Sequence, residues 1–446
     1  MNDNIDQIKN FNFRGCIIWM FAVLFYFYEF MIQVSPGVMV QNLMRDFQIS
    51  AGGLGNLSAY YFYSYAGMQL FVGIILDRWG PRKLLSISSI VCAIGCYLFS
   101  QSTEIFQAEL SRFIIGIGSA SAVISCFKLA TAWFPVRYFG VMTGFTVMTG
   151  MLGAIFGEAP LSWIVQHVGW RFTMLGFSTI GCILSFLIWS IVRDKPTLEN
   201  SSPIPHSYKI KESLTFVLKC PQTWLTSIYG GLMFAPTTAL GALWGVSWMC
   251  TYYEFDTTTA AHIISFLFLG WVFGSPTSGI LTNYFGRCKV TMQLGTILSF
   301  ITICLLIFID SWSVISLEIL WFLFGIFSSG FLPFMTIIRN QHSYHHLGTA
   351  MGFGNAMNMM GGAALQPIIG WMLDQGWTGE MIDGVRSYPP SSYKYALLTI
   401  PALIAISYVV LFFVKESKQK KDMKLSADLK SDKSLPYLVL NVEGKM

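Results

Sequence analysis

Charge is scarce in this chain. Of 446 residues only 11% are Asp, Glu, Lys or Arg, against roughly a quarter in soluble globular domains. In contrast, 54% are hydrophobic and 16% aromatic. A soluble globular protein is excluded, and so is a disordered one, which needs charge and few aromatics to stay solvated. The phosphate-binding pattern GxxxxGK[ST] is missing, so a pump driven by its own nucleotide hydrolysis is unsupported. No Ser-His-Asp or zinc-ligand arrangement recurs on an apolar run, which counts against an intramembrane enzyme. The nine cysteines are odd in number, form no CxxC and sit in or beside apolar runs; they read as membrane filler, with no disulfide or metal. No cofactor and no nucleic-acid partner are expected.

What the chain does contain is apolar runs. A helix crossing about 30 Å of hydrocarbon needs roughly 20 apolar residues, and twelve such runs are found, at about 15–38, 54–76, 84–102, 107–130, 139–165, 172–192, 221–247, 259–282, 288–309, 313–338, 347–372 and 394–414. They do not alternate as the short strands of a membrane barrel would. The first follows a polar start with Asp3, Asn4 and Asp6 and reads as a retained span, not a cleaved signal. Lys9 and Arg14, then Arg78, Arg82 and Lys83, then Arg137, the basic residues of 193–219, and Lys415 to Lys421 all fall on one side if the spans alternate. The positive-inside rule then predicts that both termini are cytoplasmic and that the polar loop 373–393 is outside.

The chain also repeats itself. Gly73, Asp77, Gly80 and Lys83 recur as Gly279, Asn283, Gly286 and Lys289, offset by 206 residues. Gly140, Gly144 and Phe145 recur as Gly348, Gly352 and Phe353, offset by 208, and Pro160 recurs as Pro367, offset by 207. The expected fold is therefore an all-α membrane protein of twelve transmembrane helices in two six-helix halves. Residues 1–192 form the first half and 221–414 the second, with a linker at 193–220 carrying Pro196, Pro203 and Pro205, and a tail at 415–446. Parallel six-span halves meeting at a midplane cavity are the architecture of rocker-switch carriers.

The loop Gly73–Lys83 resembles the signature between the second and third helices of the major facilitator superfamily. Arg112, Gly116 and Gly118 resemble its fourth-helix motif, and Trp133-Phe134-Pro135 with Arg137 resembles the following turn in organic-anion branches. Gly169-Trp170-Arg171 resembles the turn between helices five and six, and the stretch from Tyr28-Glu29-Phe30 to Arg82 is similar to bacterial proteins near the lysosomal dipeptide carriers. The resemblance covers the whole chain. It implies that Asp77, with Gly73, Arg78, Gly80 and Arg82, latches onto the opposite half and shuts the cytoplasmic gate. In the second copy Asn283 replaces the acid beside Gly286 and Arg287, so that gate is expected to be weaker.

Charge at the bilayer centre costs roughly 2.5–3.5 kcal/mol even on lenient scales, so the few ionisable residues within spans mark candidate function. Glu29 shares a helical face with Tyr26 and Gln33 and is expected to line the cavity, binding a proton or a substrate ammonium; a structural pair with an arginine is the alternative. Glu158 follows the small-residue row Gly150, Gly153 and Gly157 and is the candidate second carboxylate. Arg112 is the expected partner of one of these acids, and family analogy makes it a candidate in proton coupling. Lys128 either snorkels to the cytoplasmic surface or binds an anionic substrate. Tyr61, Tyr65 and Gln69 on the second span, Tyr229 on the seventh, and Asn355, Asn358 and Gln366 on the eleventh complete the candidate pocket. His342, His345 and His346 are expected in a solvated turn.

These observations predict a monomeric, multi-pass carrier, expected in a bacterial inner membrane. It would move a small polar organic solute, such as an amino acid, dipeptide or organic anion, by alternating access with proton coupling. An uncoupled facilitator or exchanger, a drug-type efflux carrier and a non-transporting sensor are the alternatives. Acids in the cavity would favour a cationic or zwitterionic solute; Arg112 and Lys128 facing it would favour an anion.

Overall fold

The computed structural model describes residues 13–135, 138–194, 210–342 and 346–416. Lys9, Arg137, Pro196, Pro203, Pro205, His345 and the tail beyond 416 lie outside the described residues. The first half comprises α1 (Phe13–Val34), a 3-10 turn (Ser35–Val38), α2 (Val40–Phe47), α3 (Ala51–Gln101), α4 (Ile105–Ser119), α5 (Ala122–Trp133), α6 (Phe139–Phe156), α7 (Ala159–Val168) and α8 (Trp170–Ile191). After α9 (Ile210–Leu218) the second half comprises α10 (Pro221–Ala239), a π-helical turn (Leu240–Trp244), α11 (Gly245–Tyr253), α12 (Thr257–Phe285), α13 (Cys288–Phe308), α14 (Val314–Ser328), α15 (Phe334–Gln341) and α16 (Leu347–Gln375). It closes with an antiparallel hairpin of β1 (Met381–Ile382) and β2 (Val385–Arg386), then α17 (Pro390–Leu397) and α18 (Thr399–Phe413).

Among the described residues, nine helical segments are long and apolar enough to cross a membrane. One is α3, whose 51 residues would run about 77 Å at 1.5 Å per residue, more than twice the hydrocarbon core. Gly80 breaks it at φ 76° and ψ 162°, a conformation only glycine adopts without strain, so α3 supplies two spans. The segment α10–α11 and the 29-residue α16, which carries Thr349, Asn355 and Asn358 toward the cavity described below, complete the expected twelve. Several spans are less regular than their apolar runs imply. The fifth breaks at Glu158, which caps α7 with non-helical dihedrals of φ −100° and ψ −106°. The seventh passes through the π turn after Pro236, whose missing N–H and bulky ring disturb the helix ladder.

The internal repeat has a three-dimensional counterpart at the end of the molecule where the basic residues gather. Just past Gly80, the Arg82 backbone N–H donates to Asp194 Oδ1 at 3.0 Å and Arg82 Nε donates to the Trp189 carbonyl at 2.9 Å. In the second half the N–H groups of Cys288 and Lys289 donate to the Glu416 carboxylate at 2.6 and 3.2 Å, and Lys289 Nζ donates to the carbonyls of Phe412 and Val414 at 3.1 Å. In each half an acid after the sixth span thus caps the N-terminus of the third, satisfying exposed amides and the positive helix end together.

Close approach between helices depends on missing side chains. A Cβ on Gly153 would stand 2.2 Å from the Phe27 carbonyl oxygen, within the first half, where α6 lies on α1. A Cβ on Gly55 would stand 2.6 Å from the carbonyl oxygen of Gln366, across the two halves. Gly37 likewise abuts the backbone of Ala242 and Leu243 in the π turn at 3.3 to 3.4 Å. Both inter-half contacts, at Gly55 and Gly37, lie toward the end opposite the basic residues, hereafter the far end, which is shut.

Candidate solute-binding site

Between the halves lies a cavity of about 1620 Å³. Its lining descends from Glu29 and Asn358 to Asp77, Arg78, Gly140 and Gly348, so it opens at the basic end. Of the expected pocket residues, Tyr26, Glu29, Gln33, Tyr65, Gln69, Asn355 and Asn358 border it. Gln69 is oriented by its Nε2, which donates to the Ala120 carbonyl at 3.0 Å. Facing Glu29's half is an aromatic wall: Phe234 and Phe331 each meet the Trp271 ring with centroids 5.7 Å away, and Phe331 stacks on Phe334 at 5.3 Å.

Glu29 is buried, with only the edge of its residue on the cavity. The Tyr61 hydroxyl donates to Glu29 Oε1, while Oε2 has no hydrogen-bond partner among the described residues. Behind Tyr61 stands Arg112, its guanidinium carbon 5.1 Å over the tyrosine ring and its Nη1 donating to the Ile32 carbonyl at 3.1 Å. The expected Arg112 ion pair is not formed with Glu29 or Glu158. Tyr61 intervenes, giving the cation a π face and the carboxylate a hydroxyl. Neither Tyr61 nor Arg112 borders the cavity.

Four other expectations are corrected by position along the helices. Lys128 does not meet the central cavity as a substrate-binding cation would: at the basic end its Nζ donates to the exposed Asp77, at Oδ1, at 2.7 Å and to the Leu76 carbonyl at 3.1 Å. Tyr229 faces α13, bonded to Thr296 Oγ1 at 3.0 Å and the Met292 carbonyl at 3.3 Å. Gln366 shares a helical face with Asn358 but lies about 12 Å further toward the far end at 1.5 Å per residue. There its Nε2 donates to the Thr238 carbonyl at 3.0 Å, and its own carbonyl accepts from Trp244 Nε1 at 2.9 Å, so a neighbouring helix satisfies backbone around the π turn. Glu158 is fully buried beyond the cavity floor, with neither carboxylate oxygen hydrogen-bonded among the described residues.

The signature loop is open. Asp77, 62% exposed, pairs with Lys128 of its own half instead of gripping the second, because the halves stand apart at this end. Gly73 has nothing within 4 Å of a Cβ position, so the close approach expected of it is not made here. Gly286 ends α12 at φ 63°, with Asn283 and Arg287 exposed beside it. The solvated histidine turn is corrected as well. His342 Nε2 lies 2.6 Å from Thr223 Oγ1, and His346 stacks on Phe216 at 4.5 Å.

The family model described as Major Facilitator Superfamily matches the chain twice, over residues 18–252 and 226–440. The chain belongs to the Major Facilitator Superfamily. It is a multi-pass membrane transporter and not an enzyme. Among superfamily relatives, the lysosomal dipeptide transporter MFSD1 of Danio rerio is 19% identical over 94% of this chain and 91% of its own length. The probable sulfoacetate transporter SauU of Cupriavidus necator is 27% identical over 39% of this chain and 40% of its own length. Among solved structures, a bacterial homolog of the human lysosomal transporter Spinster, inward-facing and unoccupied, is similar with a TM-score of 0.74 at 15% identity, covering 91% of this chain and 98% of that one.

The superfamily motifs do not point to every residue the structure singles out. Asp194 and Glu416 lie where apolar runs end and look like solvated polar residues. The wall of Phe234, Trp271 and Phe331 is indistinguishable by sequence from lipid-facing aromatics. Asp374 carried a usable signal: an acid in the last turn of a helix opposes the helix dipole and therefore calls for a partner.

Proposed function

We propose that the chain is a proton-coupled carrier of a small organic solute bearing an ammonium group, an amino acid or dipeptide, working by alternating access. The observation that carries this reading is the charge of the cavity. Among the described lining residues the charged side chains are Glu29, Asp77 and Arg78, of which Asp77 is paired with Lys128 and Arg78 neighbours it at the mouth. Glu29 is left as the acid of the central site, opposite aromatic faces that attract cations. The cations that would have favoured an anionic solute are withdrawn, Arg112 behind Tyr61 and Lys128 onto Asp77. The amides of Gln33, Gln69, Asn355 and Asn358 can meet the remaining polar groups of a zwitterion. The full-length similarity to a transporter named for dipeptides supports the same solute class.

In this reading Glu29 takes up either the proton or the ammonium, and occupancy by one excludes the other, which couples the two movements. The halves 1–192 and 221–414 rock about the cavity, the linker 193–220 and tail 415–446 lie with both termini in the cytoplasm, and the cavity faces inward. One chain encloses the whole cavity, in keeping with a monomer, and a bacterial inner membrane is the proposed location.

Proteoliposomes test this directly. An imposed pH gradient should drive accumulation of a labelled amino acid or dipeptide but not of a simple organic anion, and Glu29→Gln should abolish the drive while leaving thermal stability near wild type. Anion accumulation, or unchanged pH-driven uptake by Glu29→Gln, would overturn the assignment.

A further inference from the structure

Asp374 lies in the last turn of α16, facing the unfavourable end of its own helix dipole. Three of its partners belong to the other half. Asp374 Oδ2 accepts from Ser50 Oγ at 2.6 Å and from the Gly52 N–H at 2.8 Å, and Oδ1 accepts from the Ala51 N–H at 3.2 Å. Ala51 and Gly52 open α3, so an acid of the second half caps a helix of the first. Tyr388, just beyond the hairpin, adds a second strand to the contact: its hydroxyl donates to Asp374 Oδ1 at 2.6 Å and accepts from the Ala51 N–H at 2.9 Å. Arg386 stands 3.6 Å from the same carboxylate oxygen. The approach is close enough that a Cβ on Gly52 would sit 2.8 Å from Asp374 Oδ2, and one on Gly370 would sit 2.3 Å from the Ala51 carbonyl oxygen.

We propose that Asp374, with Tyr388, is the latch that holds the far end shut. The contact combines a carboxylate, two helix-opening amides and the hydroxyls of Ser50 and Tyr388, the charge-assisted kind of bond that is about twice as strong as a neutral one. It spans the two halves at the end where Gly55 and Gly37 bring them together, and separation of α16 from α3 breaks every bond to Ser50, Ala51 and Gly52 at once. Asp374 touches no cavity residue, so it acts on the balance between conformations and not on solute binding. The inference rests on the alternating-access reading, since a latch has a role only if the far end opens.

The test uses the full chain, in a cysteine-free background, in lipid nanodiscs without solute. Spin labels at exposed Gln166 and Glu254 read the far end, and labels at exposed Lys83 and Asn340 read the basic end. Asp374→Asn should raise the ratio of long to short far-end distances at least tenfold and shorten the basic-end distances in step; Tyr388→Phe should do the same to a smaller extent. Should Asp374→Asn fail to fold, Tyr388→Phe is read by the same criterion. A far-end opening present in wild type but unchanged in the variants overturns the latch alone. A far end that never opens in wild type or variants overturns the alternating-access reading with it.

Discussion

Replacing Gly55 by alanine introduces a collision that exists only while the far end is shut. The new Cβ would lie 2.6 Å from the Gln366 carbonyl oxygen, 2.8 Å from Pro367 Cα and 2.9 Å from the Gln366 carbonyl carbon, whereas ordinary contact begins at 3.4 Å. The backbones must therefore part by roughly 0.8 Å, the difference between 3.4 and 2.6 Å, and neither obstacle is a side chain that can swing away. Overpacking of this kind costs about 1–3 kcal/mol. Because Gly55 belongs to one half and Gln366 to the other, that cost falls on the far-shut state alone, which corresponds to a shift of roughly 5- to 150-fold toward the far-open state. The gain of about 1 kcal/mol in helix propensity from glycine to alanine is common to both states and drops out. Distances between labels at Gln166 and Glu254 read the shift. Gly153→Ala is the control, since its collision at 2.2 Å with Phe27 stays within the first half and should lower thermal stability without moving the gate. Unchanged far-end distances in Gly55→Ala, or a gate shift of equal size in Gly153→Ala, would refute the reasoning.

Two further outcomes are expected. Asp77→Asn removes an exposed ion pair worth at most about 1 kcal/mol, so thermal stability and solute-induced stabilisation should persist while uptake slows; uptake at the wild-type rate would show that Asp77 has no part in gating. Burial, with the neighbouring His346 second, holds the His342 imidazole below the ordinary histidine value of 6.5. The folded state then binds fewer protons than the unfolded one, so this group's contribution is complete above that value and is lost as pH falls below it. Melting temperatures of the detergent-solubilised protein should accordingly drop between pH 7.5 and 5, and His342→Gln should flatten that slope; an identical slope in the variant would assign the pH dependence to other groups.

The fold was legible because it depends on quantities a sequence displays: apolar run length, basic residues between runs, and glycines repeated at an offset near 207. The site was legible only in part. Helical spacing placed Tyr26, Glu29 and Gln33 on one face and they border the cavity, as do Asn355 and Asn358. Spacing does not report depth along the helix, however, so Gln366 and Glu158 were expected at a cavity that ends before reaching them. Nor does it say which of several neighbours a charge selects. Arg112 and Lys128 looked like cavity cations because their partners, the Tyr61 ring and Asp77, are 51 residues away in the chain and are brought near only by packing. The break at Glu158 and the π turn after Pro236 interrupt runs that by hydropathy alone read as continuous helix.

The matching caps by Asp194 and Glu416 have a mechanical meaning. Each fastens the third span of a half to the segment leaving its sixth span, and neither crosses to the other half. Parting the seam therefore stretches neither brace, and in the proposed cycle each would tie its own half together. The irregular turns at Ser35–Val38 and Leu240–Trp244 meet each other across the seam instead. Under the proposed alternating access, lipids packed around either half would meet an outline that stays the same, and the work of rocking would be confined to the interior surfaces.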